Sequence, residues 1–203
     1  MKAIVYEKLD GSMIHFYINK DGLTASTCRS SQTIQAKEAM LIVRNNPRLE
    51  KEIIESIENG LTPVFEFVSP SNQIVVQYNQ KRLVYLISRY RKTGSYIFEK
   101  KYFDKARVFD IPFASIFNHL NLQDFEGYIC HFDHGEILKL KTPWYLERHR
   151  ALNFFFNKPV YRLYEIALEG KMDDLIGSVA DCYKNKLTLI YDEVQKEIGR
   201  AHV

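Results

Sequence analysis

Lys2-Ala3-Ile4-Val5-Tyr6-Glu7-Lys8-Leu9-Asp10-Gly11-Ser12-Met13-Ile14-His15-Phe16-Tyr17-Ile18 opens the chain with two apolar runs joined by an Asp-Gly step. Residues 2–7 read as a short strand, because β-branched and aromatic side chains suit a pleated surface. Asp10-Gly11 signals a turn, and residues 13–18 read as strand again. A second Asp-Gly step, Asp21-Gly22, turns into a third strand near 23–27. Strands this close in sequence pair antiparallel, since parallel neighbours need long crossovers.

Outward from that start, Ile34, Ala36, Ala39, Met40, Ile42 and Val43 fall at largely helical spacing within 32–45, and Pro47 breaks the segment. A second helix carries Leu49, Ile53, Ile54 and Ile57 inward and stops at Asn59-Gly60. Strand patterns return at 63–68 and 73–78, separated by Ser69-Pro70-Ser71-Asn72, and again at 83–88. Strands near 126–132 and 136–141 flank Asp133-His134-Gly135, a hairpin signal. From about 151 the pattern is helical to the end. The expected fold is α+β: an antiparallel sheet core over 1–150 with peripheral helices, and a helical tail over 151–203.

A chain of 203 residues can bury a substantial core, and 46% hydrophobic with 26% charged residues reads as globular. Net charge is only +3, which does not itself demand a nucleic-acid partner. Arg82, Arg89, Arg91, Lys92, Lys100, Lys101, Lys105 and Arg107 sit close in sequence. They suit either a solvated face or a phosphate-tracking surface. Cys28, Cys130 and Cys182 are odd in number and lack zinc spacing, which fits a reducing cytoplasm. Charges between Met1 and Asp10 exclude an apolar signal peptide there, and no apolar run approaches a membrane span.

Four clusters carry the chemistry. Lys8 stands before the Asp10-Gly11 turn and is a candidate nucleophile toward phosphorus. An amine attacks only when deprotonated, so burial or neighbouring cations must depress its pKa. The alternative is a surface lysine before a hairpin turn. Asp10 can be a turn former, and Gly11 is expected to supply a positive φ. Glu66, in Val64-Phe65-Glu66-Phe67-Val68, shares a strand face with two valines and needs a partner. That partner is a ribose hydroxyl, a hydrated Mg²⁺ or an internal cation. Glu126 opens a strand beside Gly127 and is either a metal ligand or an exposed strand end. Lys139 and Lys141 share a sheet face, facing either a triphosphate or solvent. Trp144, the single tryptophan, is a core residue or a base-stacking one. His131 and His134 straddle a hairpin and lack further metal ligands. There is no Walker A loop, nucleophile elbow or dinucleotide fingerprint.

At these residues the chain resembles the phage ATP-dependent RNA ligases that repair cleaved tRNA anticodon loops, members of the covalent nucleotidyltransferases. The resemblance runs through Phe65-Glu66-Phe67-Val68-Ser69-Pro70-Ser71-Asn72-Gln73-Ile74-Val75, Arg89 with Thr93-Gly94-Ser95-Tyr96-Ile97, Glu126-Gly127-Tyr128, and Lys139-Leu140-Lys141-Thr142-Pro143-Trp144-Tyr145. Leu163 to Asp181, with Gly170 and Asp173-Asp174-Leu175, is similar to the start of that family's helical C-terminal domain.

The resemblance implies an antiparallel, ATP-grasp-like ligase core, with ATP and Mg²⁺ as cofactors. Lys8 is then the adenylated lysine, and Lys139 and Lys141 are catalytic contacts to the triphosphate. Asp10, Gly11, Arg29, Glu66, Glu126 and Tyr145 join them around the nucleotide, with Glu66 and Glu126 as metal ligands. The implied partner is RNA with 5′-phosphate and 3′-hydroxyl ends, such as nicked tRNA, in the cytoplasm (a host's, if phage-encoded). Two departures stand out. Only seven residues precede Lys8, where the family has a long nucleotide-contacting segment, so a separately encoded N-terminal polypeptide is an expected partner. Thr27-Cys28-Arg29-Ser30 stands where the family has Ser/Thr-Lys-Gly-Ser, with Arg29 in shifted register. The alternative function is a non-catalytic module that binds nucleotide or RNA.

Overall fold

The computed structural model describes the backbone of residues 2–99, 101–157, 160–179 and 181–201, and of these all side chains except 154–157, 160, 181–182 and 198–201. Met1, Lys100 and the side chains of Asp181 and Cys182, named above, lie outside the described residues. The elements run β1 (Ala3–Lys8), β2 (Ser12–Asn19), β3 (Gly22–Ser26), α1 (Ile34–Arg44), α2 (Pro47–Glu58), β4 (Leu61–Val68), β5 (Arg82–Tyr90), β6 (Tyr96–Ile97), β7 (Val108–Phe109), β8 (Gly127–Phe132) and β9 (Ile137–Lys141). The helices α3 (Pro143–Asn157), α4 (Val160–Leu168), α5 (Met172–Ser178) and α6 (Asp181–Ala201) complete the chain.

The strands form two antiparallel sheets. One has the order β7-β1-β8-β9, the other β3-β2-β4-β5-β6. Ile14, Phe16, Phe65, Phe67, Leu83 and Tyr85 alternate along β2, β4 and β5 and pack on Ala36, Ala39 and Val43 of α1 and Ile53 and Ile57 of α2. Thr33 caps α1 by accepting from the Ala36 N–H (3.2 Å), and Asn46 caps α2 by accepting from Leu49 (3.2 Å), with Pro47 at its first turn. Val5, Tyr128 and Cys130 line the outer face of the smaller sheet and meet Ile116 from a 3-10 turn.

The strand-turn-strand at the start of the chain is not a hairpin. β1 pairs with β7 and β8, and β2 with β3 and β4. Leu9-Asp10-Gly11 therefore carries the chain from one sheet to the other. Gly11 also differs from expectation, since it is not among the positive-φ glycines. It is needed for space: a Cβ there would lie 2.3 Å from the Phe67 carbonyl oxygen of β4.

The strand expected at 73–78 is absent. The Val75 and Val76 N–H groups donate to the Asp10 carboxylate at 2.7 and 2.8 Å, so they cannot serve a ladder. Their side chains pack with Tyr145, Leu152, Leu163 and Leu187 of the helices. Helix also begins earlier than 151. Thr142 Oγ1 accepts from the Tyr145 N–H (3.1 Å) ahead of Pro143 and starts α3 there, so the expected 150/151 boundary falls inside this helix. Among the described residues no helix is long and apolar enough to cross a membrane.

Candidate active site

Lys8, Gly127 and Lys141 stand directly opposite one another on three neighbouring strands. Paired residues project to one face, so the two lysines flank a position without a side chain. A Cβ on Gly127 would lie 1.9 Å from the Leu140 carbonyl oxygen. This close approach draws β8 and β9 together beneath the lysines. Both amines converge on Glu126 Oε1, Lys8 Nζ at 2.8 Å and Lys141 Nζ at 3.1 Å. Glu126 is 3% exposed, not a solvated strand end. Its second oxygen, Oε2, is buried and has no hydrogen-bond partner among the described residues.

Glu66 approaches from the other sheet. It lies opposite Met13 of β2 and Val84 of β5, on the sheet face turned away from the core phenylalanines. Burial pushes its carboxyl up to about 8. Lys8 and the Gly11 N–H oppose that shift, while Glu126 and Asp10 add to it. Three acids and the candidate nucleophile therefore share one electrostatic neighbourhood.

Asp10 is bound into the protein rather than into a simple turn. It is 2% exposed. Its Oδ2 accepts from Val75 and Val76, and its Oδ1 accepts from the Tyr145 hydroxyl at 2.8 Å. Its own N–H donates to Tyr78 Oη (2.8 Å). Burial and the Asp10 and Glu126 charges raise the Tyr145 pKa, so its hydroxyl stays a donor. Lys141 Nζ lies 4.6 Å from the centre of the Tyr145 ring, which links this knot to the lysine pair.

A cleft of about 560 Å³ opens between the two sheets. Tyr6, Ile129, His131 and Lys139 line it from one side, Met13, Val64, Ile87 and Arg89 from the other. Tyr6 and Ile129 are two residues from Lys8 and Gly127, so the cleft begins beside the lysine–glutamate cluster. Lys139 is exposed at its edge and has no acidic partner among the described residues. Tyr6 and Phe98 stack at 5.1 Å, and His131 meets both rings edge-on. Burial lowers His131 to about 4, leaving it neutral at ordinary pH. His134 is exposed and pairs with Glu136.

The remaining expected residues are placed differently. Arg29 is exposed in the loop after β3 and lines an adjoining groove of about 300 Å³ with Ser12 and with Met13, which also lines the cleft. No contact joins it to Lys8 among the described residues. Trp144 packs with the helical cluster, its ring 4.3 Å from the Arg148 guanidinium. The basic run divides. Arg82 pairs with Asp104 and Lys101 with Glu55 and Glu99, whereas Arg89, Arg91 and Lys92 have no acidic partner among the described residues. Tyr78 and the Val75-Val76 backbone were missed by sequence reasoning. Their tie to Asp10 spans more than sixty residues and leaves no local pattern.

A divalent cation fits this donor set. Glu126 Oε2 is a buried carboxylate oxygen without a hydrogen-bond partner among the described residues, and Glu66 is near enough for their charges to interact. Among the described residues no group of three or more His, Cys, Asp or Glu could hold a metal ion. Mg²⁺ commonly takes one or two carboxylates and fills its shell with water and substrate phosphate.

No family model matches the chain. It is 28% identical over 191 residues to a candidate RNA ligase of Thermovibrio ammonificans, covering 88% of this chain and 50% of that protein. Among solved structures it is similar to an archaeal ATP-dependent RNA ligase, with TM-score 0.59 and 17% identity, covering 95% of this chain and 56% of that one. It is also similar to a mutant of Naegleria gruberi RNA ligase with ATP and Mn, with TM-score 0.52 and 16% identity, covering 73% and 51%. The chain thus spans about half the length of each. The structural likeness shows the fold alone: an α+β arrangement of antiparallel sheets and helices shared with these two ligases.

Proposed function

We propose that this chain carries the adenylation core of an ATP-dependent RNA ligase, residues 1–150, joined through α3 to the start of a helical domain, 151–203. The observation that carries the proposal is the convergence of Lys8 and Lys141 on a buried Glu126, one of whose oxygens makes no hydrogen bond among the described residues. The likeness to RNA ligases in sequence and fold supports the same reading.

In this reading the base of ATP enters the apolar cleft and its phosphates lie toward Lys139 and Lys141. Lys8 gives its proton to a carboxylate, with Glu126 Oε1 at 2.8 Å. Its amine then attacks the α-phosphorus. An N–P bond forms, and the bond to the leaving pyrophosphate breaks. The AMP next passes to an RNA 5′-phosphate, and an RNA 3′-hydroxyl displaces AMP to form the phosphodiester. Each step is a displacement at phosphorus, so positioning and charge neutralisation dominate. Lys139 and Lys141 offset the charge on the phosphates. Glu66 accepts from the ribose hydroxyls. A Mg²⁺ held by Glu126 and Glu66 would neutralise phosphate charge further. Arg29 contacts the nucleotide from the Ser12 side, and Asp10, Gly11 and Tyr145 hold the Lys8 segment in place. The RNA is a broken strand such as nicked tRNA, and the compartment is the cytoplasm, a host's if the chain is phage-encoded.

Intact mass after incubation with ATP and Mg²⁺, with Lys8→Ala alongside, tests the proposal. The expected result is one added AMP in the parent protein and none in the variant. No adduct in either, from folded protein, would overturn adenylation. An adduct retained in Lys8→Ala would remove Lys8 as nucleophile.

A further inference from the structure

The cleft does not end at the nucleotide. A second groove, of about 570 Å³, shares Met13, Val64 and Arg89 with it and continues past His15 and Thr62 to Tyr90, Arg91, Lys92, Thr93 and Gly94. A third, of about 510 Å³, shares Tyr90 to Thr93 and reaches Asn59-Gly60 at the end of α2. The three form one track along β5. Arg89, Arg91 and Lys92 line it without an acidic partner among the described residues, while Glu58 is the acid lining its far end. These cations are arranged by the fold. Arg89 Nε donates to the Gly94 carbonyl (3.0 Å), and the guanidinium crosses so close to Gly94 that a Cβ there would lie 2.9 Å from Nη2. Gly94 also has φ +75°, which suits glycine. Arg91 donates to the Ile57 carbonyl (2.8 Å). Each guanidinium keeps further N–H donors after that bond. Tyr90 and Tyr96 are exposed beside them, at 38% and 51%.

We propose that this track seats the backbone of single-stranded RNA a few nucleotides from the reacting end, with Arg89, Arg91 and Lys92 on phosphates and Tyr90 and Tyr96 against bases. The inference rests on the ligase reading for its direction. Arg89 stands five residues beyond Val84, the β5 partner of Glu66, or roughly 16 Å at strand rise. Arg89 stands where the cleft and the second groove meet, and Arg91 and Lys92 lie beyond it, placed for a strand leading away from the nucleotide. A positive groove with flanking aromatics is the usual seat of a single strand, since every base has a stacking face.

The test is RNA affinity against salt, using a 5′-phosphorylated single-stranded RNA oligonucleotide and anisotropy. Each lost phosphate contact lowers the salt slope by about 0.7. Arg91→Gln/Lys92→Gln is expected to lower the slope by about 1.4 and to weaken binding roughly tenfold. Lys92→Gln alone removes no hydrogen bond within the protein, so its smaller shift of about 0.7 reads the groove even if the double variant folds poorly. Unchanged affinity and slope in Lys92→Gln would overturn the inference. Equal binding of the same strand as DNA would overturn the RNA assignment. The two readings fail separately. An adduct on Lys8 with a silent groove sinks the groove alone, and a salt-sensitive groove without an adduct sinks the ligase alone.

Discussion

Two buried carboxylates sit on either side of Lys8, and the protein treats them oppositely. Asp10 is saturated: two backbone N–H groups and a tyrosine hydroxyl share its oxygens, and it is 2% exposed. Glu126 is equally buried, at 3%, yet one oxygen holds two lysines and the other makes no hydrogen bond among the described residues. A carboxylate with both oxygens bound within the fold is a joint. A half-satisfied one in a bed of cations is suited to a ligand, since an unpaired buried polar atom is costly until something meets it. The difference separates architecture from chemistry in a site where both are acidic residues beside one lysine.

Substitution should break that contrast cleanly. Asp10→Ala leaves three buried donors without an acceptor and should cost about 4 kcal/mol, lowering Tm by roughly 10 °C in thermal unfolding. Glu126→Gln should slow lysine adenylation by about 100-fold, read by single-turnover labelling with ATP, while shifting Tm far less than Asp10→Ala. If Asp10→Ala kept its Tm, or Glu126→Gln lost more stability than activity, the assignment of joint and ligand site would be reversed. Lys139→Ala sharpens the picture on the cation side. It lacks the carboxylate contact that Lys141 has, so its loss should slow adenylation by about tenfold with Tm unchanged.

The last test is read in pH dependence and concerns Glu66. Its folded pKa is about 8 against an ordinary value of 4.5, so the folded state holds a proton that the unfolded chain releases. Stability from this group is full below about 4.5 and declines as pH rises toward about 8. Glu66→Gln should remove that decline, so the Tm difference between variant and parent grows from pH 5 to pH 8 in the variant's favour. A constant difference across that range would mean that the carboxyl is ionised throughout.

Legibility in the sequence followed the range of the interaction. β1 to β5, the β8–β9 hairpin and helices α1 and α2 were readable because alternation, caps and Asp-Gly steps act within a few residues. The stretch 73–78 alternates like a strand, yet its N–H groups belong to Asp10, sixty-five residues away. Asp10-Gly11 carries the signal of a turn, but what shapes it is the Phe67 carbonyl of another strand. Lys8, Glu126, Lys139 and Lys141 could be named as candidates from their places before a turn, at a strand start and two apart on one strand, together with the family resemblance. That Lys8 and Lys141 share one oxygen of Glu126 depends on register across three strands, which no local pattern encodes. Arg29, chosen by its position in a motif, lines a groove that meets the main cleft at Met13.

One consequence follows from how little chain separates Lys141 from Tyr145. Lys141 ends β9, Thr142 and Pro143 start α3, and Tyr145 is already within the helix with its hydroxyl on Asp10. Strand, cap and helix therefore act as a single stiff lever whose short arm touches both the loop after Lys8 and the carboxylate beside it. Its long arm is α3, packed into the helical cluster through Leu152. A load applied to those helices is geared directly onto the lysine's seat, with no slack loop in between.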